Sequence, residues 1–214
     1  PRVFGTGTRA SAVTQFASFL YSHGGDFMKD GQATLNTPEA IQAFEYYGGL
    51  LKDYGPPGTL NMSWPEAMAV FTQGKAVFYT DASALYTNAT DPSKSSVADD
   101  VGFAPFPEGP GGKKVATPPA WANAIGANSE KKDAAWQFVE WVTSKDVVVK
   151  LQADGITGAL TSVWDMPEGT AHFPKDLTEA IVENNKNGVP YDRPAIVNVG
   201  EERDAIGDII NAAM

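Results

Sequence analysis

The sequence predicts an α/β fold dominated by helices, and three observations lead there. Apolar residues recur at spacings of three and four over several long stretches. The strand-like runs are few and short. Helical stretches separate them, which sets the chain apart from all-helical and sandwich folds. Its 214 residues suffice for one large domain or two small ones.

Taken in order, RVFGTG reads as a short strand. From Ser11, the positions Val13, Phe16, Ala17 and Leu20 make one apolar helical face, and His23-Gly24-Gly25-Asp26 stops it. Asn36-Thr37-Pro38-Glu39 starts a helix with a capping residue followed by proline in the first turn. That helix carries Ile41, Phe44, Tyr47 and Leu51 on one side and ends near Gly55-Pro56-Pro57. Ser63-Trp64-Pro65-Glu66 is a capping box for a helix holding Met68 and Phe71 and ending at Gly74. KAVFYT then reads as a buried strand with Asp81 at its C-terminal end. Residues 87–100 are a polar surface loop, VGFAPFP is a strand or extended crossing, and EGPGGKK is a tight turn. WANAIGA reads as a strand, and Ser129 caps a helix with Ala134, Ala135, Phe138 and Trp141 inward. Further helices are expected from Ser144 to about Ala153, from Asp176 to Asn187 and from Glu201 to Ala213. The chain has no internal repeat and no long low-complexity linker.

Composition excludes several functions. A net charge of -10, with 16 Lys and Arg that never form a run, argues against nucleic acid and anionic membrane as partners. No apolar run approaches the roughly 18 residues of a membrane span. With no cysteine there is no disulfide, thiol nucleophile or thiolate metal site. The chain opens on Pro1 with neither Met nor signal peptide, and reads as a piece of a longer precursor.

The chemical motifs mostly favour plain readings. Gly5-Thr6-Gly7-Thr8-Arg9-Ala10 matches a dinucleotide fingerprint, with Asp30 downstream. The fingerprint needs a second buried strand ending at that acid, and HGGDFMK is turn-like and polar, so a strand-turn-helix junction is preferred. His23 and His172 have no second ligand at helical spacing and read as surface or capping residues rather than zinc ligands. Asp99-Asp100 and Glu201-Glu202 point apart on any regular element and do not form a glycosidase dyad. Neither a GxSxG elbow nor a Walker loop is present, and GPGG reads as a turn. Trp136 and Trp141 lie within a helix and read as packing residues. Trp64 and Trp121 sit at element boundaries, where α/β proteins bind ligands. An aromatic face suits the C–H side of a sugar ring, and a carboxylate such as Asp81 accepts from its hydroxyls.

In order, FASFLYSHGGDF, NTPEAIQAFEYYGGLLKDYGPPG, SWPEAMAVFTQGKAVFYTDAS, VGFAPFPEGPGG, WANAIGANSEKKDAAWQFVEWVTS and RPAIVNVGEERDAIGDIINAA resemble the family 1 extracellular solute-binding proteins of ABC sugar importers. The resemblance covers nearly the whole chain and is nearest to the sorbitol/mannitol type, more distantly to maltose-binding protein. It implies the C-terminal lobe of a two-lobe periplasmic-binding-protein fold, helix-rich with a short mixed sheet. Residues 1–104 and 146–214 would belong to that lobe, 105–117 would cross, and 118–145 would belong to the N-terminal lobe. The apolar side of the last segment, Ile125, Trp136, Phe138 and Trp141, then needs other cover, by self-association or by folding back.

The same resemblance implies ligand contacts from Gln15 at the start of the first helix, Trp64, Asp81, Ser83, Trp121 and Glu202. It implies a sugar or sugar-alcohol ligand, a membrane permease as partner, a periplasmic or lipoprotein-type location, no cofactor, no metal and no catalysis. Leu160 stands where polyol-binding relatives often carry arginine, and leucine cannot fork hydrogen bonds to hydroxyls, which counts against a polyol. Two other classes stay open: a carbohydrate-active hydrolase and a structural fragment, which aromatic platforms alone do not separate.

Overall fold

The computed structural model describes residues 2–5, 9–112, 114–118 and 121–214. The elements run β1 (Arg2–Gly5), α1 (Arg9–Ser22), β2 (Met28–Lys29), β3 (Gln32–Ala33), α2 (Pro38–Tyr54), α3 (Trp64–Thr72), β4 (Ala76–Tyr79), α4 (Tyr86–Thr90), α5 (Lys132–Val142), α6 (Lys145–Ala153), α7 (Thr161–Trp164), α8 (Pro167–Thr170), α9 (Lys175–Lys186) and α10 (Val199–Ala212). β1 pairs in parallel with β4, and β2 with β3 form a separate antiparallel hairpin. Among the described residues the strands thus form a parallel pair and a separate hairpin rather than one mixed sheet.

Two of the predicted caps form, whereas Ser129 does not cap α5, whose N-cap position is Lys131. The Thr37 hydroxyl accepts from the Ala40 amide at 3.4 Å, opening α2. The Glu66 carboxylate accepts from the Ser63 amide at 2.9 Å and the Ser63 hydroxyl at 2.8 Å, opening α3. Those bonds hold the Glu66 carboxyl below its ordinary value. At the β2–β3 turn, Asp30 and Gly31 both have positive φ, 51° and 77°, as a two-residue hairpin with right-handed twist requires. Asp30 therefore sits at an exposed hairpin tip, not at the end of a buried strand, which removes the dinucleotide reading. The loop of that motif, residues 6–8, lies outside the described residues.

Two cores form. The larger packs α1 between α2 and α10, with Val13, Phe16, Leu20, Tyr47, Leu51, Ile206 and Ile210 buried. Phe16 stacks on Phe44 at 4.3 Å between ring centroids, and Phe19 meets Phe106 edge-on at 5.0 Å. The smaller joins α4, α7 and α9 through Tyr86, Trp164, Phe173, Leu177 and Ile181. There the Trp164 indole donates to the Gly158 carbonyl at 2.8 Å, so its polar edge is satisfied inside the cluster.

Several local expectations are corrected. WANAIGA forms no strand: residues 121–126 have no regular structure. KAVFYT does form β4, but Val77 and Phe78 are exposed rather than buried, because only β1 flanks it among the described residues. Ile41 also faces outward, on the side of α2 away from α1. Of the two roles expected for His23, the capping one holds: it is buried, its Nδ1 2.8 Å from the Phe19 carbonyl at the end of α1. The largest correction is α5. None of its residues is buried, and Trp136, Phe138 and Trp141 are 58, 56 and 59% exposed. The helix touches α6, and its aromatic face stays exposed.

Candidate functional site

α1 and β4 bring the first group of polar residues together. Asp81 follows β4 directly, and α1 passes beside it. The buried Gln15 amide donates to Asp81 Oδ2 at 2.9 Å across 66 residues of sequence. The Tyr79 hydroxyl donates to the same oxygen at 2.5 Å and lies 3.2 Å from the Trp64 carbonyl. Asp81 Oδ1 accepts from the Ala82 amide at 2.7 Å. Burial first, and then the Asp81 charge, push the Tyr79 phenol far above its ordinary value, so it stays a donor at neutral pH. Asp81 itself is exposed, so a fixed carboxylate with unused acceptor capacity faces solvent, and the half-exposed Trp64 is tied to the same group through its backbone carbonyl.

Of the sequence-predicted residues, Gln15, Trp64 and Asp81 are thus linked through Tyr79. Ser83 lies two residues beyond Asp81 and opens a 3₁₀ turn at Ser83–Leu85. Glu202 is exposed on the first turn of α10. Trp121 is 97% exposed and no part of this cluster. Leu160 caps the N-terminus of α7, half-buried.

Sequence reasoning missed Tyr79, although it and Asp81 are two apart at a strand end and so share a face. It also missed a second polar group on α1. Thr14 Oγ1 accepts from Arg193 Nη2 at 3.2 Å and from Arg203 Nη2 at 3.5 Å. Arg193 pairs through both Nε and Nη2 with Asp192. Burial alone would raise the Asp192 carboxyl, but the bonds from Arg193 and Thr14 override it and hold it below the ordinary range. Residues 190–197 and 199 line a shallow, open surface groove of about 510 Å³ that includes Arg193 and Asp192.

Residues 2–149 match the family of bacterial extracellular solute-binding proteins, and the chain belongs to it. A mannitol-binding protein of Pseudomonas aeruginosa is 40% identical over 139 residues, which are 65% of this chain and 30% of that protein. An ABC transporter solute-binding protein from Agrobacterium radiobacter, solved with ribitol, is 27% identical with a TM-score of 0.80 and covers 100% of this chain and 55% of its own. Another from Agrobacterium vitis, with bound D-mannitol, is 25% identical with a TM-score of 0.76 over 99% of this chain and 55% of its own. The chain therefore spans less than two thirds of these relatives. Among the described residues no helix is long and apolar enough to cross a membrane.

Proposed function

We propose that this chain is part of the substrate-binding component of an ABC importer and binds a sugar or sugar alcohol through Gln15, Trp64, Tyr79, Asp81 and Ser83. The observation that carries this reading is the convergence of Gln15 and Tyr79 on one exposed carboxylate in a member of a solute-binding family. Asp81 accepts from ligand hydroxyls, and its own donors hold it in place so that little rotamer entropy is lost on binding. Trp64 offers the ring face. Trp121, on the segment that stands clear of the body, reaches the ligand only when that segment closes over the site, and Glu202 borders the site from the first turn of α10. The protein acts outside the cytoplasmic membrane, delivers ligand to a permease and catalyses nothing.

The segment assignment has support of its own. Residues 114–118 are tied to the body, through the Ser18–Thr117 hydroxyl pair at 3.3 Å and the Val189 amide on the Ala116 carbonyl at 3.0 Å. Trp121 and α5 then stand clear, and α6 returns with Val148 and Gln152 buried. This supports 118–145 as the part of a second lobe, and supports self-association of the 214-residue chain through α5.

Calorimetry with mannitol, ribitol and maltose tests the binding reading. A micromolar or tighter Kd for one of them, weakened about tenfold or more by Asp81→Asn, is expected. No heat with any of the three, or turnover of an aryl glycoside, overturns it.

A further inference from the structure

Most of the acceptor capacity of Asp81 is already in use. An ionised carboxylate has about four acceptor sites and no donor. Three protein donors occupy it: Oδ2 takes the Gln15 amide at 2.9 Å and the Tyr79 hydroxyl at 2.5 Å, and Oδ1 takes the Ala82 amide at 2.7 Å. Oδ2 is therefore filled, and Oδ1 keeps one lone pair, on an exposed side chain. The filled side is also the firmly held one. Gln15 is 7% exposed, on a helix whose neighbouring Val13 and Phe16 are fully buried. The Tyr79 ring stacks on Phe71 with 5.9 Å between centroids, which fixes the approach of its phenol. A phenol has a single hydrogen. It points at Oδ2, since the Trp64 carbonyl lies farther away, at 3.2 Å. Tyr79 then has no donor left for a ligand, and its contribution passes through Asp81.

We propose that Asp81 reads one ligand hydroxyl only, through Oδ1, and that Gln15 and Tyr79 are positioning residues that set this limit by filling Oδ2. The ligand group facing that lone pair must carry a hydrogen, because the carboxylate offers none. A free hydroxyl satisfies this. An ether or glycosidic oxygen at the same place sets its lone pairs against the carboxylate, and a missing hydroxyl leaves the bond unmade. The site therefore takes a sugar or sugar alcohol that is unsubstituted at one particular carbon. The bond is charge-assisted, so this hydroxyl carries about twice the discrimination of one bonded to a neutral acceptor. The inference rests on the sugar-binding reading above and narrows it from hydroxyls in general to a single one.

The test is calorimetry on the 214-residue chain with D-glucitol, whose ends differ, and with its monodeoxy and mono-O-methyl derivatives. One deoxy position is expected to weaken binding about tenfold, and O-methylation there at least as much. In Asp81→Ala that position is expected to lose its penalty while the penalties elsewhere stay. Tyr79→Phe vacates a lone pair on Oδ2, and a second deoxy position is then expected to couple to Asp81. A merely structural Tyr79 would weaken every derivative alike, and that result overturns its positioning role. If Tyr79→Phe does not fold, the wild-type series and Asp81→Ala still decide how many hydroxyls Asp81 reads. Coupling to more than one hydroxyl in the wild type, or to none, overturns the inference and leaves sugar binding intact. No binding of D-glucitol overturns it as well, and silence from mannitol, ribitol and maltose too overturns the sugar reading beneath it.

Discussion

α1 and α5 carry the same kind of message in sequence and meet opposite fates in structure. Both have aromatic and aliphatic residues at helical spacing, so both ask for cover on one face. α1 receives it from α2 and α10, and Val13, Phe16, Ala17 and Leu20 are all fully buried. α5 receives none, and three of its aromatics are more than half exposed. Periodicity states which face needs a partner. Whether the chain supplies one depends on what folds beside it.

The contrast makes sharp predictions. Phe16→Ala removes a fully buried ring stacked on Phe44 and should cost about 3–5 kcal/mol in urea unfolding. A loss under 1 kcal/mol would mean that the larger core is loosely packed. Gly48→Ala comes next. A Cβ there would lie 2.6 Å from the Ala213 carbonyl oxygen, a backbone atom that cannot step aside, so about 1–3 kcal/mol should be lost. Its neighbour Gly49 meets nothing within 4 Å, and Gly49→Ala should instead gain about 0.5–1 kcal/mol from helix propensity. Equal effects at the two glycines would contradict the packing of α2 against α10.

A smaller effect is expected from pH. The Asp192 carboxyl lies below its ordinary 3.8 when folded, so its stabilisation is present above that pH and fades as pH falls through the lowered value. Melting curves from pH 5 to pH 2.5 should therefore fall less steeply for Asp192→Asn than for the wild type, from a lower starting Tm. The smallest change belongs to α5. Trp141→Ala should alter stability by no more than about 0.5 kcal/mol, because the ring rests against little of its own chain. Light scattering should show reduced self-association for Trp136→Ala with Trp141→Ala. A strictly monomeric wild type would leave α5 with no partner in a second copy.

Part of the candidate site was legible beforehand. Trp64 and Asp81 stand at a capped helix entry and a strand end, where side chains reach the rim of an α/β body, and Gln15, in the second turn of α1, was marked only by the family resemblance. Tyr79 was hidden because an apolar run such as KAVFYT looks the same whether its faces are covered or bare. Arg193 and Arg203 were hidden for another reason: both meet on Thr14, at sequence separations of 179 and 189 residues, and no local pattern marks such a meeting.

By itself the sequence determined the long helices, the caps of α2 and α3 and the class of fold, since propensity, capping and periodicity act within a few residues of one another, while the short helices α4, α7 and α8 escaped it. The tertiary structure alone decided three things. It set Gln15 against Asp81, drew two arginines onto one threonine, and left α5 bare. Each depends on which elements pack side by side, and packing is a property of surfaces that only the folded chain brings together.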